Sequence, residues 1–176
     1  MPETASPVLS AWSNFYVMTG SSAAALTGLM FVVISLVTDR MRSGATHDGI
    51  ATFSTPTVMH FAGALMVSAI LLMPWRSVTP AGVVTAFIGL CGVAYIAHVM
   101  RRTTRLTEYT ADLEDWMWYT ILPLVAYGAL SAGAIALPAA PAQAVFILAG
   151  AVLLLIFIGV RNAWDVVTYV TVVRRQ

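Results

Sequence analysis

Two imidazoles interrupt otherwise apolar runs. His60 is alone between Asp48 and Arg76, and His98 is alone between Arg76 and Arg101, counting charged and histidine residues. With Asp115, Tyr119, Arg161 and Asp165 they form a set that could relay protons, hold an anion or bind a metal. A haem or metal bound by His60 and His98 is one reading. Histidines on separate helices carry no diagnostic ligand spacing, however. The rival reading is that polar residues gather near helix ends because water is close.

Other chemistry is excluded by composition. All nine basic residues are arginine, so there is no lysine for a retinal or pyridoxal Schiff base or for a phosphate-binding P-loop. The single cysteine, Cys91, makes no intrachain disulfide, cysteine-rich zinc site or iron–sulfur cluster, and reads as a small packing residue. There is no HExxH, GxSxG or glycine-rich nucleotide loop. The arginines sit at predicted helix ends, not in a patch, and point to no nucleic-acid partner. Any enzyme here would have to work within a helix bundle, and the expected cofactor set is empty apart from the haem or metal alternative.

The elements that must position these residues are set by lipid. Hydrophobic residues make up 59% of the 176-residue chain, and its mean hydropathy is +0.83. The uncharged stretch Trp116–Val160 would span about 68 Å as one helix, roughly twice a hydrocarbon core. It must fold back, and Leu137-Pro138-Ala139-Ala140-Pro141 marks the place. The charge pattern predicts an all-α transmembrane bundle of five spans, at about 12–38, 55–74, 79–101, 112–137 and 141–163, in a single domain covering 1–176. Thr55-Pro56 and Thr79-Pro80 read as N-caps followed by a first-turn proline. Asp112 can cap the fourth span, with Glu114 and Asp115 in its first turn. Only Trp75–Val78 join the second and third spans, which predicts an antiparallel hairpin. No basic residue precedes the first run, so the N-terminus reads as a retained span and not a cleavable signal.

Arginine gives the orientation. Arg40 and Arg42, Arg101, Arg102 and Arg105, and Arg174 and Arg175 fall on one side. The N-terminus, the Arg76 turn and the uncharged Pro138–Gln143 turn fall on the other. The positive-inside rule places the N-terminus outside and the C-terminus in the cytoplasm. Trp12 and Trp75 then mark the outer surface, and Trp116, Trp118 and Trp164 the inner one. His60, His98, Asp115, Tyr119, Arg161 and Asp165 fall at one depth, in the cytoplasmic third. Two endings of the fifth span are open. Arg161 sits at the membrane surface, which Trp164 favours, or Arg161 and Asp165 pair one turn apart within the membrane.

Helix faces add three expectations. Gly20, Ala24 and Gly28 form a small-residue stripe that should pack inside the bundle or at a subunit interface, and Gly128/Ala132 and Ala129/Gly133 offer a similar face. Thr57, His60, Ala64 and Ser68 share one arc of the second span, and Cys91, Ala94, Tyr95 and His98 one arc of the third. Pro123 should kink the fourth span, which places Asp115, Tyr119, Pro123 and Tyr127 on one side.

Trp12-Ser13-Asn14-Phe15-Tyr16, the run Gly20–Phe31, Thr55-Pro56 ahead of His60, and Glu114-Asp115-Trp116-Met117-Trp118 resemble a group of small uncharacterised bacterial multi-span integral membrane proteins. Some of that group are labelled as modulators of a membrane-bound AAA protease. The resemblance covers most of the chain. It implies a bacterial inner membrane and supplies no site residues.

The functional expectation is a non-enzymatic polytopic membrane protein that acts through helix packing, as an accessory or regulatory subunit or a homo-oligomer. Its partners would be the lipid bilayer and a second copy or another membrane protein. The alternatives are an oligomeric channel or small transporter built on the inner polar layer, and the haem- or metal-binding bundle.

Overall fold

Every long uncharged run is helical. The structure, a computed structural model, describes residues 6–41, 48–103 and 116–172. Its helices are α1 (Pro7–Ala11), α2 (Ser13–Met41), α3 (Asp48–Leu72), α4 (Val78–Thr103), α5 (Leu122–Ala136) and α6 (Pro141–Val172), with a π-helical turn at Met117–Ile121 leading into α5. No strand occurs among the described residues.

Two helix starts differ from expectation. α3 begins at Asp48 and carries Pro56 in its interior, so Thr55 is not its N-cap. A membrane helix tolerates an internal proline when neighbouring helices re-satisfy the backbone. α4 begins at Val78, which puts Thr79 inside the helix. Pro80 lies in the first turn, where its missing N–H would have no helical partner anyway. Pro123 falls immediately after the π-helical turn, so the irregularity expected of it is a widened turn, a common way for a helix to absorb a local misfit.

The long helices pack in the order α2–α3–α6–α5–α4. α6 is central, between α3 and α5, and α2 and α4 are the outer members. α4 rests mainly on α5 and shares little with α3 despite the short linker. The expected α3–α4 hairpin is therefore joined at one end but not packed along its length.

At that end the Ser6 N–H donates to the Trp75 carbonyl (3.0 Å), and the Trp12 and Phe146 rings meet edge-on at 4.7 Å. Trp75 Nε1–H donates to the Ile70 carbonyl at 2.7 Å. The start of α2, the end of α3 and the start of α6 are thus together. Trp118, at the start of the fourth run, lies instead against Phe157 at 5.7 Å, near the far end of α6.

Solvent preference is inverted relative to a soluble bundle. Among the described residues, four helices are long and apolar enough to cross a membrane: Ser13–Ser35, Val78–Arg101, Met117–Ala136 and Pro141–Asp165. The described apolar part of α3, Pro56–Leu72, is shorter. Large apolar side chains point outward from every long helix, including Leu29, Met66, Phe87, Ile135 and Phe146. Such a surface suits lipid, not water. The chain has the makings of a membrane protein.

Inside, Ala144, Val145, Leu148, Val152, Leu155, Ile158 and Asn162 of α6 are buried. Their three- and four-residue spacing is one face of a helix. In lipid that face is held by close packing and polar contacts, because burying apolar surface gives helices little drive to associate. α2 and α3 are held in this way. Thr19 Oγ1 donates to the Phe15 carbonyl at 3.0 Å and lies 3.2 Å from Ser68 Oγ, buried between the helices. Gly20 faces the Ser68 Cβ.

Candidate functional site

The bundle's most polar interior point is built on α3. Thr57, His60, Ala64 and Ser68, expected on one arc, are all fully buried. His60 turns toward α5, where its Nδ1 lies 3.3 Å from the Tyr127 hydroxyl. That hydroxyl donates to the Met59 carbonyl at 3.3 Å. With the phenol's single proton on the carbonyl, Nδ1–H donates to the phenol oxygen; with it directed to Nδ1, the imidazole proton sits on Nε2.

Glycine makes this reach possible. A Cβ on Gly63 would lie 3.1 Å from the Tyr127 hydroxyl, so the bare residue opens the groove beside the Met59 carbonyl. Gly92 of α4 lies under the Tyr127 ring, where a Cβ would overlap it. Tyr127 thereby ties α3, α4 and α5 together at one level.

Among the buried side chains with polar atoms that have no protein hydrogen-bond partner are one of α3 and one of α6. One is His60 Nε2. The other is the Asn162 side chain, both of whose polar atoms, Nδ2 and Oδ1, are unpartnered. Both residues are fully buried. An unsatisfied buried polar group costs about 1–3 kcal/mol.

A second cluster lies at the same end. Arg161 and Asp165 form an ion pair one helical turn apart, and the Arg161 guanidinium lies over the Trp118 ring at 5.5 Å. The two charged side chains are 30% and 37% exposed, and at the membrane surface, one of the two endings expected for this span, water would screen them. Asp165→Asn is therefore expected to lower the stability of the bundle by less than about 1 kcal/mol. Chemical or SDS-induced unfolding in mild detergent measures this. A loss several times larger would place the pair in a dry site.

The remaining expected residues lie elsewhere. Tyr119 is part-buried in the π-helical turn. His98 is exposed on α4, as are Cys91 and Ala94. The structure does not bring His60 and His98 to one another, and the reading of Cys91 as a packing residue is not met. Asp115 lies outside the described residues. Among the described residues no three of His, Cys, Asp or Glu gather closely enough to hold a metal ion. A bis-histidine haem or metal site gains no support from this placement.

Of the small-residue stripe, only Gly20 is buried. Ala24 and Gly28 are exposed, and a Cβ on Gly28 would meet nothing within 4 Å. Gly128 likewise faces open space, whereas Gly133 packs on Ile147 and Leu148. The tightest approaches are at glycines outside the expected stripes: Gly82 and Gly89 against the α5 backbone, Gly92 against Tyr127, and Gly159 against the Phe61 ring.

Tyr127 and Asn162 are the residues that the polar layer lacked. Asn162 was legible in principle, because it continues the Leu148, Val152, Leu155 register of α6 by seven residues from Leu155. Comparison with known protein families, curated proteins and solved structures gives no match.

Proposed function

We propose that this chain is a five-span protein of a bacterial inner membrane that acts without catalysis, through helix–helix contacts, as an accessory or regulatory subunit or as a homo-oligomer. The observation that carries this reading is the outer face of α2. Ser21, Ala24, Ala25 and Gly28 are exposed there. In lipid, small residues on an open helix face let another helix approach closely, and such faces are enriched at transmembrane interfaces. The expected stripe had two outcomes, internal packing or an interface. Exposure of Ala24 and Gly28 supports the second.

The fifth crossing is α3. Its 25 residues reach about 37 Å, enough for a hydrocarbon core of about 30 Å, and it is flanked by α2 and α6, both candidate spans. The joined ends at Ser6, Trp75 and Phe146 support alternating helix directions. Arginine distribution supports an external N-terminus and a cytoplasmic C-terminus. α6, with 32 residues, is about 48 Å long. It overshoots the core, which favours Arg161 at the inner surface with the last turns beyond it. The bacterial setting rests on the resemblance of the Trp12–Tyr16, Gly20–Phe31 and Glu114–Trp118 segments.

A pore within one copy has little support, because Leu148, Val152, Leu155 and Ile158 close the centre. The test is crosslinking in native membranes with cysteine at Ala24 or Gly28, in a Cys91→Ala background. We expect a covalent dimer or a defined heteromeric adduct from the α2 positions and none from Phe87→Cys on the outer face of α4. A chain that stays monomeric by native mass spectrometry and forms no α2 adduct would overturn the reading.

A further inference from the structure

We infer that the Arg161–Asp165 pair and the rings around it form a site for one phospholipid whose headgroup carries both a phosphate and a primary ammonium, as phosphoethanolamine does. This rests on the reading that puts the Arg161 end of α6 at the membrane surface. Leu153, Phe157, Arg161 and Trp164 follow one another at four-, four- and three-residue steps, within about 80° of arc on the helix. Leu153, Phe157 and Trp164 are exposed, so this line faces out of the bundle. Over about 16 Å it passes from apolar side chains to a charge and then to an indole. An acyl chain, a phosphate and the interfacial layer come in that order. Trp118, from the turn before α5, joins the line. Its ring lies 5.7 Å from Phe157 and 5.5 Å from the Arg161 guanidinium.

Charge selects the headgroup. A guanidinium is a planar fork of N–H donors that suits phosphate oxygens. A carboxylate accepts from N–H donors and repels a second anion. The ion pair and the Trp118 contact hold the two charges side by side, and both charged side chains are partly exposed. The positive and negative ends are thus in place before a ligand arrives, which lowers the cost of binding one. Phosphoglycerol, with no cation, gains at Arg161 and loses at Asp165. Phosphocholine brings a cation with no N–H for the carboxylate. Phosphoethanolamine meets both ends: its phosphate accepts from Arg161 and its ammonium donates to Asp165. The apolar line through Phe157 and Leu153 ties the headgroup to an acyl chain, so the source is a lipid and not free phosphate.

The experiment is native mass spectrometry of the full chain in mild detergent, titrated with phosphatidylethanolamine, phosphatidylcholine and phosphatidylglycerol of identical acyl chains. We expect the first bound lipid to favour phosphatidylethanolamine by about fivefold, the ratio equivalent to the upper end for a partly exposed ion pair. Asp165→Asn should abolish the preference and raise binding of phosphatidylglycerol. Arg161→Gln should bring phosphatidylethanolamine down to the level of the other two. Equal binding of the three lipids by the wild-type chain overturns the proposal, whether or not a variant folds. A preference that survives in either folded variant overturns it too. Phosphatidylethanolamine with a diazirine in its acyl chain should crosslink to residues 153–164, and crosslinks confined to other segments count against the site. Surface placement is read separately, from Trp164→Cys in a Cys91→Ala background, with a water-soluble maleimide in reconstituted vesicles opened to both sides. No labelling removes the surface reading and the proposal with it. Labelling together with equal lipid binding overturns the site alone and leaves that reading standing.

Discussion

Gly89→Val is expected to lower the stability of the bundle by about 3 kcal/mol, the upper end of the range for overpacking. A Cβ at Gly89 would overlap the Ser131 hydroxyl and lie 2.9 Å from the Ser131 amide nitrogen and 3.0 Å from the Tyr127 carbonyl oxygen. Two of these obstacles are backbone, so no rotamer change clears them. The helices must separate, and close approach is what holds them in lipid. The same interface is tight at Gly82, where a Cβ would lie 2.7 Å from the Ala134 carbonyl oxygen. Separation at one point therefore loosens α4 along its length. Gly150→Val, at an open position on α6, is expected to stay within about 0.5 kcal/mol of wild type. SDS titration of the detergent-solubilised protein, followed by helical ellipticity, compares the two. Equal effects at Gly89 and Gly150 would show that α4 does not sit on α5 as described.

Tyr127→Ala should cost about 3–5 kcal/mol, the scale of deleting a large buried ring. It empties the space over Gly92 and strips His60 Nδ1 and the Met59 carbonyl of the hydroxyl between them. Tyr127→Phe keeps the ring and should cost only about 1–3 kcal/mol, the penalty of an unsatisfied polar group. The sharper expectation is a reversal of sign. Gly92→Val alone destabilises, because its side chain meets the Tyr127 ring. In the Tyr127→Ala background the same valine fills the space and should restore about 1 kcal/mol or more, within the coupling range for touching residues. Additive effects in this double-mutant cycle would mean that Gly92 and Tyr127 do not share a contact.

The sequence carries rotation within a helix better than the meeting of one helix with another. The arc Thr57, His60, Ala64, Ser68 is buried in full because helical periodicity alone decides it. Grouping His60 with His98 needed the mutual rotation of α3 and α4, which no local pattern encodes. A short linker fixes where two helices join and leaves open whether they pack. α2 shows the limit of spacing rules. Four-residue steps advance about 40° beyond a full turn each time, so Gly20, Ala24 and Gly28 drift off any one face. The buried line is Tyr16, Thr19, Ala23 and Met30, with the three–four alternation that stays in register. The inner polar layer divided for the same reason. Arg161 and Asp165 are neighbours on one helix and were readable as a pair, whereas His60 meets Tyr127 across two helices.

The packing order has a bearing on how the chain is made. α6 follows α2, α3, α4 and α5 in the chain, yet it is central, in contact with both α3 and α5. Until it arrives, the nascent chain holds two couples, α2 with α3 and α4 with α5, linked mainly by the limited α3–α4 contact and the reach of Tyr127. The Phe61 ring and Gly133 then face lipid at positions that the mature protein covers with Gly159, Ile147 and Leu148. The two couples, made first in chain order, are thus joined along their length only when α6 packs between them.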